Sequence, residues 1–526
     1  MLKKRLLVTV YALLAGIPAL VFGYYLAVIC ATAYAPEEVK RSPWKYAWEL
    51  EINWMTFLGC GAVVGSIISL QDNFQDSGSN LSSISTSLLF ILYVPVVFWM
   101  CLPHYSPDDN VPGQFPALML LGCAGASSLI FLLIYISEIS PSTIRGALVS
   151  TVFLQIAGGQ IIYHLLNLLS SSTAQEIQTW HWMLAVGLPI IHVTIAACVL
   201  PDSPRWLYRK GLIRQAQESL KKIRSSCEVS KEVKAMELSL VEEAAERQLK
   251  DKKLKFLNRF TVIWYKVPSK RIIVGFGSIV AQQLVGINMI MHYSYTILCL
   301  TTNRYRTGKT ENGNAENMNM VASSEIPLIT SSLVLVGTLI CTALVDRYGR
   351  RRLLLVSICG IMSSLGLLSY LFYIGSETDA GNENRAFWYD IGEERASGMG
   401  LLAMTALTMY IIFYSLGIGT IPWIINSEIF PVTYRSACLV FASMVYWCSK
   451  MIVQGFLLDS LGCRLSIAEM LFILCLFSAA VGLFFYLYIP ETKGLQLEEV
   501  GKVLMQREKH IKIDDYVPDD EDRKEL

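Results

Sequence analysis

Charge is scarce in this chain: Asp, Glu, Lys and Arg make up only 17% of its 526 residues, against 53% hydrophobic residues, and the mean hydropathy is +0.44. That balance excludes an ordinary soluble protein of two or three domains. Also missing are a phosphate-binding loop, a Cys/His cluster at metal-ligand spacing, and a nucleophile paired with a base. An enzyme is therefore not indicated, and no cofactor is expected. The 13 cysteines fall mostly within apolar stretches, which excludes a disulfide framework and reads them as small core residues. A net charge of +1 says little about partners, and no nucleic-acid partner is expected.

What the chain has instead is long apolar runs, for example over 6–29, 183–200, 272–300 and 470–489. Each is long enough to cross a bilayer as a helix, and none alternates as a barrel strand does. The first follows a basic start but shows no small-residue cleavage site, so it reads as a first span and not as a secretory signal. The expectation is an all-α membrane protein with twelve transmembrane helices. Placing both termini in the cytoplasm leaves most of the 44 Lys and Arg on that side, as the positive-inside rule requires. Lys450 alone falls within a span.

The runs divide into an amino-terminal half (1–200), a charged cytoplasmic helical linker (201–270), a carboxy-terminal half (271–490) and a tail (491–526) whose end is acidic and expected to be disordered. The halves resemble each other. Ser137, Glu138, Ile139, Pro141, Thr143 and Arg145 recur at the same spacing as Ser427, Glu428, Ile429, Pro431, Thr433 and Arg435, and Pro201-Asp202-Ser203 is echoed by Pro490-Glu491-Thr492. All of these lie at expected span ends. Two related halves suit alternating access around a site near the midplane. Glu and Arg where helices meet the cytoplasm suit a gate that holds one state closed and breaks in the other, although such charges also cap helix ends.

These residues resemble the sugar-porter family of the major facilitator superfamily, the group that contains the facilitative glucose transporters. The matching motifs are PDSPRWL (201–207), QQLVGIN (282–288), DRYGRR (346–351), IPW (421–423), SEIFPVTYR (427–435) and PETKG (490–494), in order over nearly the whole chain. The resemblance implies the major facilitator fold, two pseudo-symmetric six-helix halves. It implies a cytoplasmic gate of Asp346, Arg347, Arg350, Arg351, Glu428, Arg435, Glu138, Arg145, Arg205 and Glu491. It also implies a sugar site lined by Gln282, Gln283 and Asn288, with Trp423 and Trp447. Amides that donate and accept, beside an indole face, suit an uncharged ligand rich in hydroxyls.

Departures from the family pattern cluster at that site. Tyr25, Val334, Ser415 and Lys450 stand where the family has Asp or Asn, Asn, Glu and Asn; Val285 replaces a Ser, His292 a Tyr, and His164 a Gln or Tyr. After the second span, 72–76 is a basic-free remnant of the DRYGRR motif, and an expected Arg is missing near Leu118, so the amino-half gate is expected to be the weaker. No Asp or Glu occupies the middle of an expected span, which leaves His164 and His292 as the proton carriers if transport is coupled. Lys450 is expected to face a watery cavity, where it attracts an anion or donates to a sugar hydroxyl. The expected function is uniport of a hexose or related neutral solute in the plasma membrane, with small solutes and lipid as partners. The alternatives are an organic-anion carrier using Lys450 and a sugar sensor with little flux. Oligomeric state is not legible.

Overall fold

Pro18 has no amide proton to give Leu14, and its ring crowds the preceding turn, so the first apolar run cannot continue as one straight helix. It forms α1 (Leu2–Ala15) and α2 (Ile17–Ala33), bent by 40° at their junction, and the Leu13 carbonyl beside the bend accepts from Gln155 Nε2 at 2.7 Å. A computed structural model describes residues 2–33, 43–69, 114–169, 199–224, 229–230, 232–234, 236–237, 267–291, 294, 315–377, 393–431, 434–455 and 466–494. After α2 come α3 (Pro43–Ile68), α4 (Gln114–Ile139) and α5 (Arg145–Leu169), then two short helices, α6 (Pro204–Arg209) and α7 (Ile213–Ile223). The second set is α8 (Ser269–Leu284), α9 (Ala315–Tyr348), α10 (Arg350–Glu377), α11 (Glu393–Leu416), α12 (Ile421–Ile429), α13 (Arg435–Gly455) and α14 (Ile467–Tyr488).

Every regular element among the described residues is helical. Eight stretches of them are long and apolar enough to cross a membrane, or nine with the bent α1–α2 pair. The span expected over 183–200 falls almost wholly outside the described residues. Large apolar side chains such as Leu339, Val356, Leu401, Ile452, Leu476 and Leu483 point outward and are exposed, while the opposite faces of the same helices are buried. This pattern places hydrocarbon, not water, around the bundle. Of the cysteines read as core residues, Cys123, Cys341 and Cys438 are buried, but Cys60 and Cys359 are exposed. An apolar solvent removes the penalty that would have kept them inside.

Helix ends follow local chemistry. Ser466 and Glu469 form a reciprocal capping box at the start of α14. In α7, Ala216 and Leu220 pack on Leu207 and Tyr208 of α6, while Arg214, Glu218, Lys221 and Lys222 are exposed. Lys4 of α1 closes the far end of α7, donating Nζ to the carbonyls of Lys221 at 2.8 Å and Arg224 at 2.6 Å. This helical pair lies where the linker was expected, and its end of the bundle is called the linker end below.

α3 and α4 meet through small residues: a Cβ on Gly61 would come 2.0 Å from the Met119 carbonyl oxygen, and one on Gly122 2.0 Å from that of Leu58. Two seams join the earlier helices to the later ones. Along α5 and α9, Ser150 Oγ and Thr342 Oγ1 are 2.8 Å apart; along α3 and α13, Ser66 Oγ and Ser443 Oγ are 2.9 Å apart. These seams set α5 and α13, which carry Phe153 and Tyr446, against the opposite half.

Candidate functional site

The last turn of α8 carries Gln282 and Gln283, and the helix is interrupted immediately after. Gly286 takes a φ of +81°, a left-handed turn that a side chain would strain, and the helix resumes from Ile287. A second interruption separates α11 from α12, where Gly417 and Gly419 both donate their backbone N–H to the Tyr414 carbonyl, at 3.3 and 2.8 Å. Each interruption frees carbonyls that lipid cannot satisfy. The two breaks satisfy each other. Gln282 Nε2 on α8 donates to the Gly419 carbonyl in the α11–α12 turn at 2.9 Å, and Tyr410 on α11 donates its hydroxyl to the Val285 carbonyl in the α8 break at 3.1 Å. Ser357 of α10 adds a third brace, donating to the Phe413 carbonyl at 2.6 Å and accepting from Ile418 N at 3.3 Å.

The bracing uses only one end of Gln282. Its Oε1 is buried without a hydrogen-bond partner, and so is Oε1 of Gln283; the two residues are 3% and 2% exposed. Two unmet acceptors on consecutive residues at a helix break are a place for hydroxyl donors.

Trp423 sits in the first turn of α12. Its ring centroid lies 6.3 Å from that of Phe153 on α5 and 5.2 Å from that of Tyr446 on α13. Tyr446 in turn meets Trp447 edge-on at 5.2 Å, and Lys450 Nζ stands 5.3 Å from the centre of the Trp447 ring. The lysine thus has a cation–π partner and is half-buried rather than sealed in. Aromatic residues from both sequence halves, Phe153 in one and Trp423, Tyr446 and Trp447 in the other, therefore form one connected wall.

Asn288 is half-buried just beyond the α8 break. His164 is buried and packs edge-on against Tyr163, which meets Tyr24 in the same way. It is 11 residues from Phe153 along α5, or about 16 Å of helix rise. The structure does not bring it to the Trp423 group. Tyr25 is fully buried against Tyr24, and Ser415 donates to the Ile411 carbonyl of its own helix at 2.9 Å. His292 and the remnant motif at 72–76 fall outside the described residues.

The expected gate residues converge at the linker end. Arg350, 1% exposed, places Nη2 2.9 Å from Asp346 Oδ1 and 2.8 Å from Glu428 Oε1. The second oxygen of Glu428 accepts from Thr492 Oγ1 at 2.6 Å. Asp346 also reaches across to α5, accepting from the backbone N–H groups of Gly146 at 3.2 Å and Ala147 at 2.8 Å. A carboxylate of α9 thereby caps the positive end of α5. Glu491 does the same for α10, accepting from Arg350 N at 3.0 Å and Arg351 N at 3.2 Å. Arg351 stacks over Tyr486 and donates to its carbonyl at 2.6 Å, and Lys493 Nζ donates to the Arg347 carbonyl at 2.5 Å. On the earlier half, Glu138 accepts from Ser203 Oγ, the N-cap of α6, at 2.5 Å. Arg145 and Arg435 are buried at the starts of α5 and α13, and Arg205 lies in the first turn of α6. With Asp346 capping α5, the halves are joined at this end.

Sequence reasoning passed over Tyr410, Tyr446, Phe153 and Ser357. Their signal is slight: aromatic and hydroxyl residues are ordinary in spans, and only the position of the breaks gives Tyr410 and Ser357 a role, as only the contact with Trp423 gives one to Phe153 and Tyr446.

The chain belongs to the sugar (and other) transporter family, whose model matches residues 11–504. It is thus a multi-pass membrane transporter and not an enzyme. Two relatives from Arabidopsis thaliana cover nearly the same length. The probable inositol transporter 2 is 31% identical over 95% of this chain and 92% of its own, and the probable inositol transporter 3 is 33% identical over 94% and 91%. Among solved structures, the proton:xylose symporter XylE bound to 6-bromo-6-deoxy-D-glucose superposes with a TM-score of 0.69, covering 95% of this chain and 98% of that one at 22% identity. The fold is that of the major facilitator superfamily.

Proposed function

We propose that this protein moves a neutral polyhydroxylated ring, a hexose or a cyclic polyol of the inositol kind, across a membrane by facilitated diffusion. The observation that carries the reading is the pair of unmet amide acceptors, Gln282 and Gln283, in the same helical bundle as an aromatic wall that Lys450 approaches at the Trp447 ring. Hydroxyls supply the donors, and the apolar face of a ring supplies the contact for indole and phenol. The names of the Arabidopsis relatives support the polyol side of this range. The six-helix halves, residues 1–200 and 271–490, rock about the site. The linker end faces the cytoplasm, with both termini there, and the membrane is the plasma membrane. Uniport is supported by the placement of the carboxylates at the gate: Asp346, Glu138 and Glu428 lie at helix ends, not near the middle where a proton carrier would sit.

Uptake of labelled inositol, glucose, fructose and a panel of organic anions into proteoliposomes at two external pH values tests this. Saturable uptake of a neutral ring, equal at both pH values, is expected, with at least tenfold loss in Trp423→Leu at equal protein incorporation. Uptake that rises as external pH falls removes uniport and leaves the solute class standing. Normal uptake by Trp423→Leu removes the site assignment.

Lys450 supports a second reading, an anionic solute held by its ammonium group. Lys450→Asn separates the two. A neutral-ring carrier loses a donor and shows a KM raised a few-fold with Vmax retained. An anion carrier loses its counter-charge and its uptake together.

A further inference from the structure

One polar side chain in the later half has no part in the braces, the aromatic wall or the gate. Gln454 on α13 is 5% exposed, and neither its Nε2 nor its Oε1 has a hydrogen-bond partner. An amide buried with both its donors and its acceptor unmet is costly in any interior, and most so in a span surrounded by hydrocarbon. A leucine would fill the same volume without that cost.

Its direction follows from the helix. Ser443, Trp447, Met451 and Gln454 recur at three- and four-residue spacing and share one stripe of α13. Two points on that stripe are fixed against α3 of the earlier half. Ser443 is hydrogen-bonded to Ser66, and a Cβ added to Gly59 would come 2.6 Å from Met451 Sδ. Gln454 thus faces the junction between the halves, about one turn beyond Lys450 and further from the linker end. Long side chains on a helix lean toward its N-terminus. The amide of Gln454 is therefore carried back toward the level of Lys450, as Lys450 is carried back over Trp447. The separation between the two polar groups is close to one helical turn, about 5 Å, a span that a six-membered ring with its hydroxyls can bridge.

We propose that Gln454 is a solute-binding residue that closes the site at the end remote from the linker. Its amide donates to one hydroxyl and accepts from its neighbour on a vicinal diol of the ring whose opposite edge lies against Trp447. Because the assignment rests on the neutral-ring reading above, the experiment separates the two. Uptake of a cyclic polyol and its set of monodeoxy analogues is measured for wild type, Gln454→Leu and Gln454→Asn, each normalised to protein in the membrane. Gln454→Leu is expected to raise KM for the parent solute about tenfold with Vmax retained, and Gln454→Asn to recover part of the loss. For the two analogues that each lack one hydroxyl of that diol, and for no other, the gap between wild type and Gln454→Leu narrows, which a residue acting only in packing does not produce. No change in KM, or the same loss for the parent and every analogue, overturns the assignment alone. A wild-type protein that moves no cyclic polyol overturns it together with the function it rests on.

Discussion

Arg350→Ala is expected to reduce initial uptake more than a hundredfold per molecule in the membrane. Arg350 is 1% exposed, and one of its nitrogens serves both Asp346 and Glu428. Removing the guanidinium leaves the buried carboxylate of Glu428 and the part-buried one of Asp346 without their shared partner, and breaking a buried pair in this way costs about 3–5 kcal/mol. About 1.4 kcal/mol is a factor of ten, so this loss is ample to depopulate the state in which the halves are joined at the linker end. Arg350→Lys keeps the charge but not the planar fork, and an intermediate rate is expected. Transport assays paired with thermal unfolding in detergent check this. Arg350→Ala protein that is folded and transports at the wild-type rate would show that the network is a surface cap and not a gate.

Gln282→Leu is the second variant with a large expected effect, because one side chain has two tasks. Its Nε2 satisfies the Gly419 carbonyl in the α11–α12 break, and its Oε1 is free for a ligand. Leucine strands the carbonyl, at about 1–3 kcal/mol, and deletes an acceptor for the solute. Uptake is expected to fall at least thirtyfold, and the melting temperature is expected to drop with it. Gln283→Leu is the control: its unmet acceptor is lost with no break left unbraced, so uptake falls while the melting temperature holds. Equal melting temperatures for Gln282→Leu and wild type would sink the bracing role and leave only binding.

Much of this was legible in the residues. The apolar runs required a helical bundle in lipid, and the repeated Ser-Glu-Ile-x-Pro-x-Thr-x-Arg pattern and six ordered motifs led to the family that the comparison then showed. The interruptions were not legible as such: Gly286 and the Gly417–Thr420 turn sit inside runs that hydropathy reads as continuous, and the 30-residue stretch from Gly400 to Ile429 passes as one span by composition. Without the breaks, nothing distinguishes Tyr410 from any other buried tyrosine. His164 shows the converse. A polar residue in a span attracts a functional reading, and the fold shows it buried with its ring edge-on to Tyr163 and about 16 Å along α5 from Phe153. For Lys450 the charge was visible in the chain, while its position over the Trp447 ring depended on one turn of helix that only the fold supplies.

The contact of Asp346 with α5 has a consequence for inheritance. On the earlier half the partners are the backbone N–H groups of Gly146 and Ala147, which every residue except proline provides. A codon change at Ala147 keeps its N–H, but at Gly146 any added Cβ would stand 2.7 Å from both Asp346 Oδ1 and Arg350 Nη2, and almost any change at Asp346 removes the acceptor. The fastening between the halves is thus written in two gene positions, Asp346 on the later side and a bare glycine at 146 on the earlier side, together with the shape of a helix end. Sequence drift in the amino-terminal half is free to change side chains along most of α5 but has no room at the one turn where that glycine lies against the carboxylate.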